Sequence, residues 1–194
     1  MAAPDSRRLR ADAQRNRDRL LDAAVRAFSQ EGPDVTLDAI AKDAGVGIGT
    51  LYRHFPTREA LVEAAYRNEL GRLCDAAADL LRTMPPDEAT RAWMDRFVDY
   101  MTTKQGMAGA LRAVIASGGN PYEQSRDRLT ATMTTLLRAG AAAGTVRSDV
   151  EPGDVLVSLS GVPLAAGEPA QREQARRLLD LLMDGLRFGA TSAD

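Results

Sequence analysis

Few side chains in this chain have the types and spacing that chemistry needs. His54 is the only histidine and Cys74 the only cysteine. A Ser–His–Asp or Cys–His set has no second base to draw on, and a zinc site of Cys and His ligands is excluded by count. Carboxylates stay open as acid–base groups, but nothing in the sequence singles out a pair. No metal and no cofactor is implied. Polar side chains do gather in the stretch Thr36–Phe55, TLDAIAKDAGVGIGTLYRHF. There, Arg53 is the one side chain able to pair with both acceptors of a guanine edge, worth about 1–3 kcal/mol of discrimination. A plain phosphate contact is its other reading.

The elements that must position those groups are two short helices and a turn. Thr36 can cap the first helix, with Ile40, Ala41 and Ala44 facing a core. Gly45 stands where the chain must bend sharply. Leu51 and Phe55, four apart, anchor the second helix inward. Thr50, Arg53 and His54 then point elsewhere, and Tyr52 flanks the seam. This is the layout of a DNA-reading helix-turn-helix. An ordinary helical hairpin with solvated polar residues fits the lengths equally well. The net charge of −2 and pI near 5.5 argue against a nucleic-acid binder when taken as averages. Locally the balance differs: between Ser6 and Arg26, arginines 7, 8, 10, 15, 17, 19 and 26 face only Asp12, Asp18 and Asp22. A basic end on an acidic body suits a DNA-facing unit, although a solvated arginine-rich tail reads the same way.

The run AGVGIGTLYRHFPTREAL resembles the most recognisable segment of the bacterial tetracycline-repressor (TetR) family, over about residues 14–67. The resemblance implies that Gly47, Ile48, Gly49, Thr50, Tyr52 and Arg53 line the groove face. It also implies that Thr36, Tyr52, His54 and Arg58 grip phosphates, helped by helix N-termini at Thr36 and Arg58. Ile48 can meet thymine methyls but donates no hydrogen bond, so readout would be sparse and partly through shape. Asp38 would repel phosphate and reads instead as a first-turn partner of the helix dipole.

Apolar spacing elsewhere is helical throughout. Residues 1–13 read as a flexible basic arm. Leu20, Leu21, Ala24, Val25 and Phe28 stripe a helix over about 16–30, closed by Gly32-Pro33, which would back the helix-turn-helix and make a three-helix unit. A long helix over 58–82 would reach about 37 Å at 1.5 Å per residue. Further helices are expected over 87–103, 107–116, 121–144, from 149 or 151 onward, and over 170–187, with Gly161 and Pro163 obscuring one end. No alternating strand pattern or hairpin signal is present. The expected fold is all-α, with about nine helices: a three-helix DNA-binding domain (14–67, motif 36–55) joined by the long helix to a helical effector-binding and dimerisation domain (68–194).

A hydrophobic content of 44% with 27% charged residues is that of a globular protein. No apolar run reaches the roughly 20 residues needed to span a bilayer, and no secretory signal opens the chain. The expected home is the cytoplasm, at the nucleoid when DNA-bound. The resemblance further implies a homodimer on a near-palindromic double-stranded operator, built on the last two helices, with Val155, Leu159, Leu178, Leu182 and Leu186 as candidate contacts. It also implies an effector pocket, with candidates Trp93, Met94, Phe97, Tyr100, Met101, Leu111, Ile115, Met133 and Leu137. A core stripe gives the same spacing. The resulting expectation is a non-enzymatic, dimeric transcriptional regulator, a repressor released by an unidentified small molecule. The alternatives are a ligand-free architectural or activating DNA binder, or an enzyme using the central pocket.

Overall fold

The computed structural model describes residues 4–162 and 169–189, with side chains over 11–162 and 172–189. Among the described residues the chain forms nine α-helices and no strand: α1 (Pro4–Gln30), α2 (Leu37–Asp43), α3 (Ile48–His54), α4 (Arg58–Thr83), α5 (Pro86–Gly106), α6 (Ala108–Ala116), α7 (Ser125–Ala142), α8 (Pro152–Gly161) and α9 (Pro169–Arg187). They gather into two compact units, Met1–Asn68 with Thr103–Pro121, and Glu69–Thr102 with Tyr122–Asp194.

Two expectations change here. α1 begins at Pro4, not near Asn16, so the expected flexible arm is helical from that residue. Apolar periodicity misses this polar stretch because no regular apolar stripe runs through it. Asp12 pairs with Arg15, and Gln14 Nε2 donates to Asp18 at 2.7 Å. Such one-turn pairs add to the helix where no apolar stripe marks it. The side chains of Arg7, Arg8 and Arg10 lie outside the described ones. The second change is in α7, which starts at Ser125; turns occupy residues 121–124, so Pro121 does not open the helix. The proposed helix end at Pro163 falls outside the described residues.

In the first unit, the core joins Leu20, Leu21, Ala24 and Phe28 of α1 to Ile40, Leu51, Leu61, Val62 and Tyr66, all essentially without exposure. α6 belongs to this unit as well, burying Met107, Ala110, Leu111 and Val114 at its start and along its length. It lies against Pro33, Arg58, Glu59 and Val62 around a small cavity of about 20 Å³. The approach is close. A Cβ on Gly106 would stand 2.7 Å from the Ser29 carbonyl oxygen, and one on Gly109 would stand 3.0 Å from Pro33 Cγ. Backbone at that distance cannot step aside as a flexible side chain can.

The second unit centres on Trp93, Met94 and Phe97 of α5, with Leu70, Leu73 and Ala77 of α4, Met133 and Leu136 of α7, Leu159 of α8 and Leu179 and Met183 of α9. Trp93 buries fully and its Nε1 donates to the Leu73 carbonyl at 2.9 Å, so its one polar atom is satisfied in the core. Arg91 links α5 to α9 through Asp180 at 2.8 Å while also holding Asp95 at 2.6 Å; its pKa rises despite the burial that opposes it. Arg187 to Asp87 at 2.6 Å makes a second bridge between these helices.

Candidate nucleic-acid interface

Helix α2 starts where its sequence says it should. Thr36, extended at φ −77° and ψ 148°, accepts a hydrogen bond on its side chain from Ala39 N at 3.2 Å. Asp38 lies in that first turn, where a carboxylate complements the helix dipole. The helix stops at a left-handed Gly45, φ +64°. Two hydrogen bonds close the turn: Val46 N to Ala41 O and Gly45 N to Lys42 O, both 3.0 Å. This paired closure needs positive φ at Gly45, which a side chain would resist. Arg19 of α1 reaches over the same turn, and a Cβ on Gly45 would meet its Nη2 at 2.3 Å. The angle between α2 and α3 is thereby set by backbone chemistry as well as by packing.

α3 is seven residues long and carries no acidic residue. Leu51 is fully buried and Phe55 nearly so, fixing its rotation. Gly47, Gly49, Tyr52 and Arg53 are exposed, and Ile48, Thr50 and His54 are half-buried. Tyr52 is 50% exposed. Neither Tyr52 nor Arg53 has a side-chain hydrogen bond or ion pair among the described residues. Asp43, at the end of α2, is taken up by Arg26 of α1 at 2.7 Å, so its charge at the turn is balanced. What remains on this surface is a set of free donors with no competing free carboxylate on α3.

Arg58, expected at a phosphate, is engaged within the protein. Its guanidinium turns inward, with Nη1 donating to Val35 O at 2.7 Å and Nη2 to Pro33 O at 2.6 Å. It also lies over the Phe28 ring, 5.2 Å from the centroid. A guanidinium so occupied ties the α1–α2 loop to α4. Thr57, by contrast, caps α4 by accepting from Ala60 N at 3.1 Å.

The other expected residues divide. Trp93, Met94, Phe97, Tyr100, Met133 and Leu137 are buried in the second unit and Met101 is half-buried there. Leu111 and Ile115 instead belong to the first unit, the latter 48% exposed, because α6 joins the DNA-side helices. On α8 and α9, Val155, Leu159 and Leu186 face the core of their own unit, whereas Leu178 and Leu182 are half-buried. The outward stripe is Leu178, Leu181, Leu182, Gly185 and Phe188, with Leu181 68% and Phe188 80% exposed, and Val157 of α8 is 72% exposed. The i, i+3, i+4 spacing of that stripe was readable in sequence; which of two leucine faces turned inward was not.

Comparison with known proteins agrees with this arrangement. Residues 20–65 match the family described as bacterial regulatory proteins, tetR family, and residues 85–188 match the SbtR-like transcriptional regulator C-terminal domain. A TetR transcriptional regulator from Streptomyces coelicolor is 59% identical in its crystal structure, with a TM-score of 0.85 over 88% of this chain and 98% of that one. A TetR regulatory protein from Mycobacterium vanbaalenii is 36% identical, with a TM-score of 0.78 over 92% and 99%. An HTH-type transcriptional regulator of Staphylococcus aureus is 38% identical over 63 residues, 32% of this chain. The chain spans about a third of the length of that curated relative, 34%. No helix among the described residues is long and apolar enough to cross a membrane. A capped and braced helix-turn-helix, continued by a helical body that matches the same family along its length, makes the chain a member of the TetR family of transcriptional regulators.

Proposed function

We propose that this chain is a homodimeric, cytoplasmic repressor that reads a near-palindromic operator through α3 and leaves it when a small molecule binds. The observation that carries the operator reading is the surface of α3: exposed Tyr52 and Arg53 without side-chain partners among the described residues, beside Thr50 and glycines, on a helix free of acids. A helix fits the major groove, and Arg53 is the residue able to pair with guanine O6 and N7. Tyr52, Thr36 and His54 are assigned to phosphates; Gly47 and Gly49 permit close approach, and Ile48 takes a thymine methyl. Arg58 acts by holding the loop before α2.

One such unit reads few bases, and a two-fold pair addresses half-sites about one helical turn apart. The outward stripe of α9 supplies the partner face, because an apolar strip of this kind is rarely left to water. For the effector, the aromatic and methionine-rich interior of the second unit suits an apolar molecule. α4 runs unbroken through residues of both units. Operator and effector must then weaken each other's binding by the same factor.

Selection of bound genomic fragments, followed by affinity measurement across salt concentrations, tests the operator reading. Arg53→Ala is expected to cost about 1–3 kcal/mol and to relax preference at one base position. Uniform weakening across sequences would reduce Arg53 to a phosphate contact, and no effect at all would remove α3 from the interface.

A further inference from the structure

We infer that the groove between α1 and α4 of the first unit binds a small organic carboxylate. The concavity measures about 390 Å³ and is lined by Arg17, Ala60, Glu63, Ala64, Arg67 and Asn68. That volume falls within the roughly 300–1,000 Å³ of small-molecule sites. It lies wholly within the first unit and is separate from the interior of the second.

Two donors in the lining are unused. Arg17 makes no hydrogen bond or ion pair among the described residues; its guanidinium carbon lies over the Phe55 ring, 5.5 Å from the centroid. Stacking of that kind engages the face of the guanidinium and leaves its N–H edge for a carboxylate fork. Asn68 Nδ2 is buried and has no hydrogen-bond partner. Buried amide donors in folded proteins nearly always have one, and a bound acceptor would supply it. Glu63 and Arg67 pair at 2.6 Å, so their charges offset and the lining keeps a single net positive charge from Arg17. A monoanion matches that balance, whereas a dianionic phosphate would meet Glu63 with one charge uncompensated. Ala60 and Ala64 add small apolar surface for a short hydrocarbon body. Phe55 caps the end of α3, so a ligand drawn to Arg17 sits beside the residue that fixes the rotation of that helix.

The test is titration calorimetry on the full chain at constant ionic strength, with butyrate, benzoate and inorganic phosphate as separate probes. Because no DNA is present, failure of the operator reading leaves the result untouched. Saturable binding of a carboxylate, one per chain, is expected, weakened at least tenfold in Arg17→Gln and in Asn68→Leu. Melting curves establish that each variant folds. Should either not fold, Ala64→Leu, which fills the groove without removing a polar group, must weaken binding by the same margin. Absence of saturable heat with both carboxylates overturns the inference. So does binding that survives these substitutions, which would place it elsewhere, and so does phosphate binding as tightly as the carboxylates. If no carboxylate binds and Arg17→Gln flattens the salt dependence of operator affinity, the groove belongs to the DNA backbone and the inference falls.

Discussion

Replacing Arg58 separates two roles that its position alone would leave mixed. In the structure its guanidinium serves the carbonyls of Pro33 and Val35 and covers the Phe28 ring. Hydrogen bonds from a charged donor contribute about 1.5–3 kcal/mol each when buried. The side chain is half-buried and the loop carbonyls can rehydrate, so the pair together should stabilise by about 2–3 kcal/mol rather than the sum. For a chain of this size each kcal/mol moves the melting temperature by roughly 2–4 °C. Arg58→Met should therefore melt about 4–12 °C below wild type by circular dichroism. Arg58→Lys should lose most of the same increment, because an ammonium lacks the planar guanidinium that both serves these carbonyls and covers the Phe28 ring. If Arg58 were a phosphate contact instead, lysine would preserve operator affinity and methionine would lower the salt slope by about one. A methionine variant that melts within about 1 °C of wild type and loses that slope would refute the tying role.

Gly45→Ala places a side chain at φ +64° and against Arg19, so it should destabilise by about 1–2 kcal/mol and weaken operator binding by reorienting α3; thermal melts with binding titrations check it. Leu181→Glu puts a charge into the outward stripe of α9, and sedimentation should report monomer with an unchanged helical signal, whereas a persistent dimer would move the interface elsewhere. Asp99 has its pKa raised above the ordinary 3.8, first by burial and then by Asp95, against the opposing charge of Arg172. An acid that holds its proton more tightly when folded costs stability as pH climbs through 3.8 and past the raised value. Asp99→Asn should thus raise the melting temperature at neutral pH, with the gain vanishing in acid below the unfolded value. Equal melting temperatures at neutral pH would remove that burden from Asp99.

Much of the DNA-side architecture was legible because it rests on local rules. A threonine before an apolar stripe, a glycine where φ must turn positive, and Leu51 with Phe55 four apart marked α2, the turn and α3 within Thr36–Phe55. The helical start of α1 was not legible, since no apolar stripe marks it. Arg58 shows a different limit. Its type and place suit a phosphate contact, and only the folded loop reveals two carbonyls within reach. Leucines of α9 lie on two faces, and spacing names the faces without saying which one meets its own unit. Ile115 and Leu111 were grouped with α5 and α7 because periodicity carries no information on which distant helices meet.

The close seating of α6 on Ser29 and Pro33 bears on how this protein can be cut and recombined. Its DNA-side unit is discontinuous in sequence, since Thr103–Pro121 belongs with Met1–Asn68. A fragment ending near Asn68 would lack the side chains of Met107, Ala110, Leu111 and Val114 that complete its interior. Chimaeras that exchange operator preference between relatives must therefore transplant both segments, glycines 106 and 109 included. Drift in a helix with no part in base reading is thereby answerable to the fit of the reader itself.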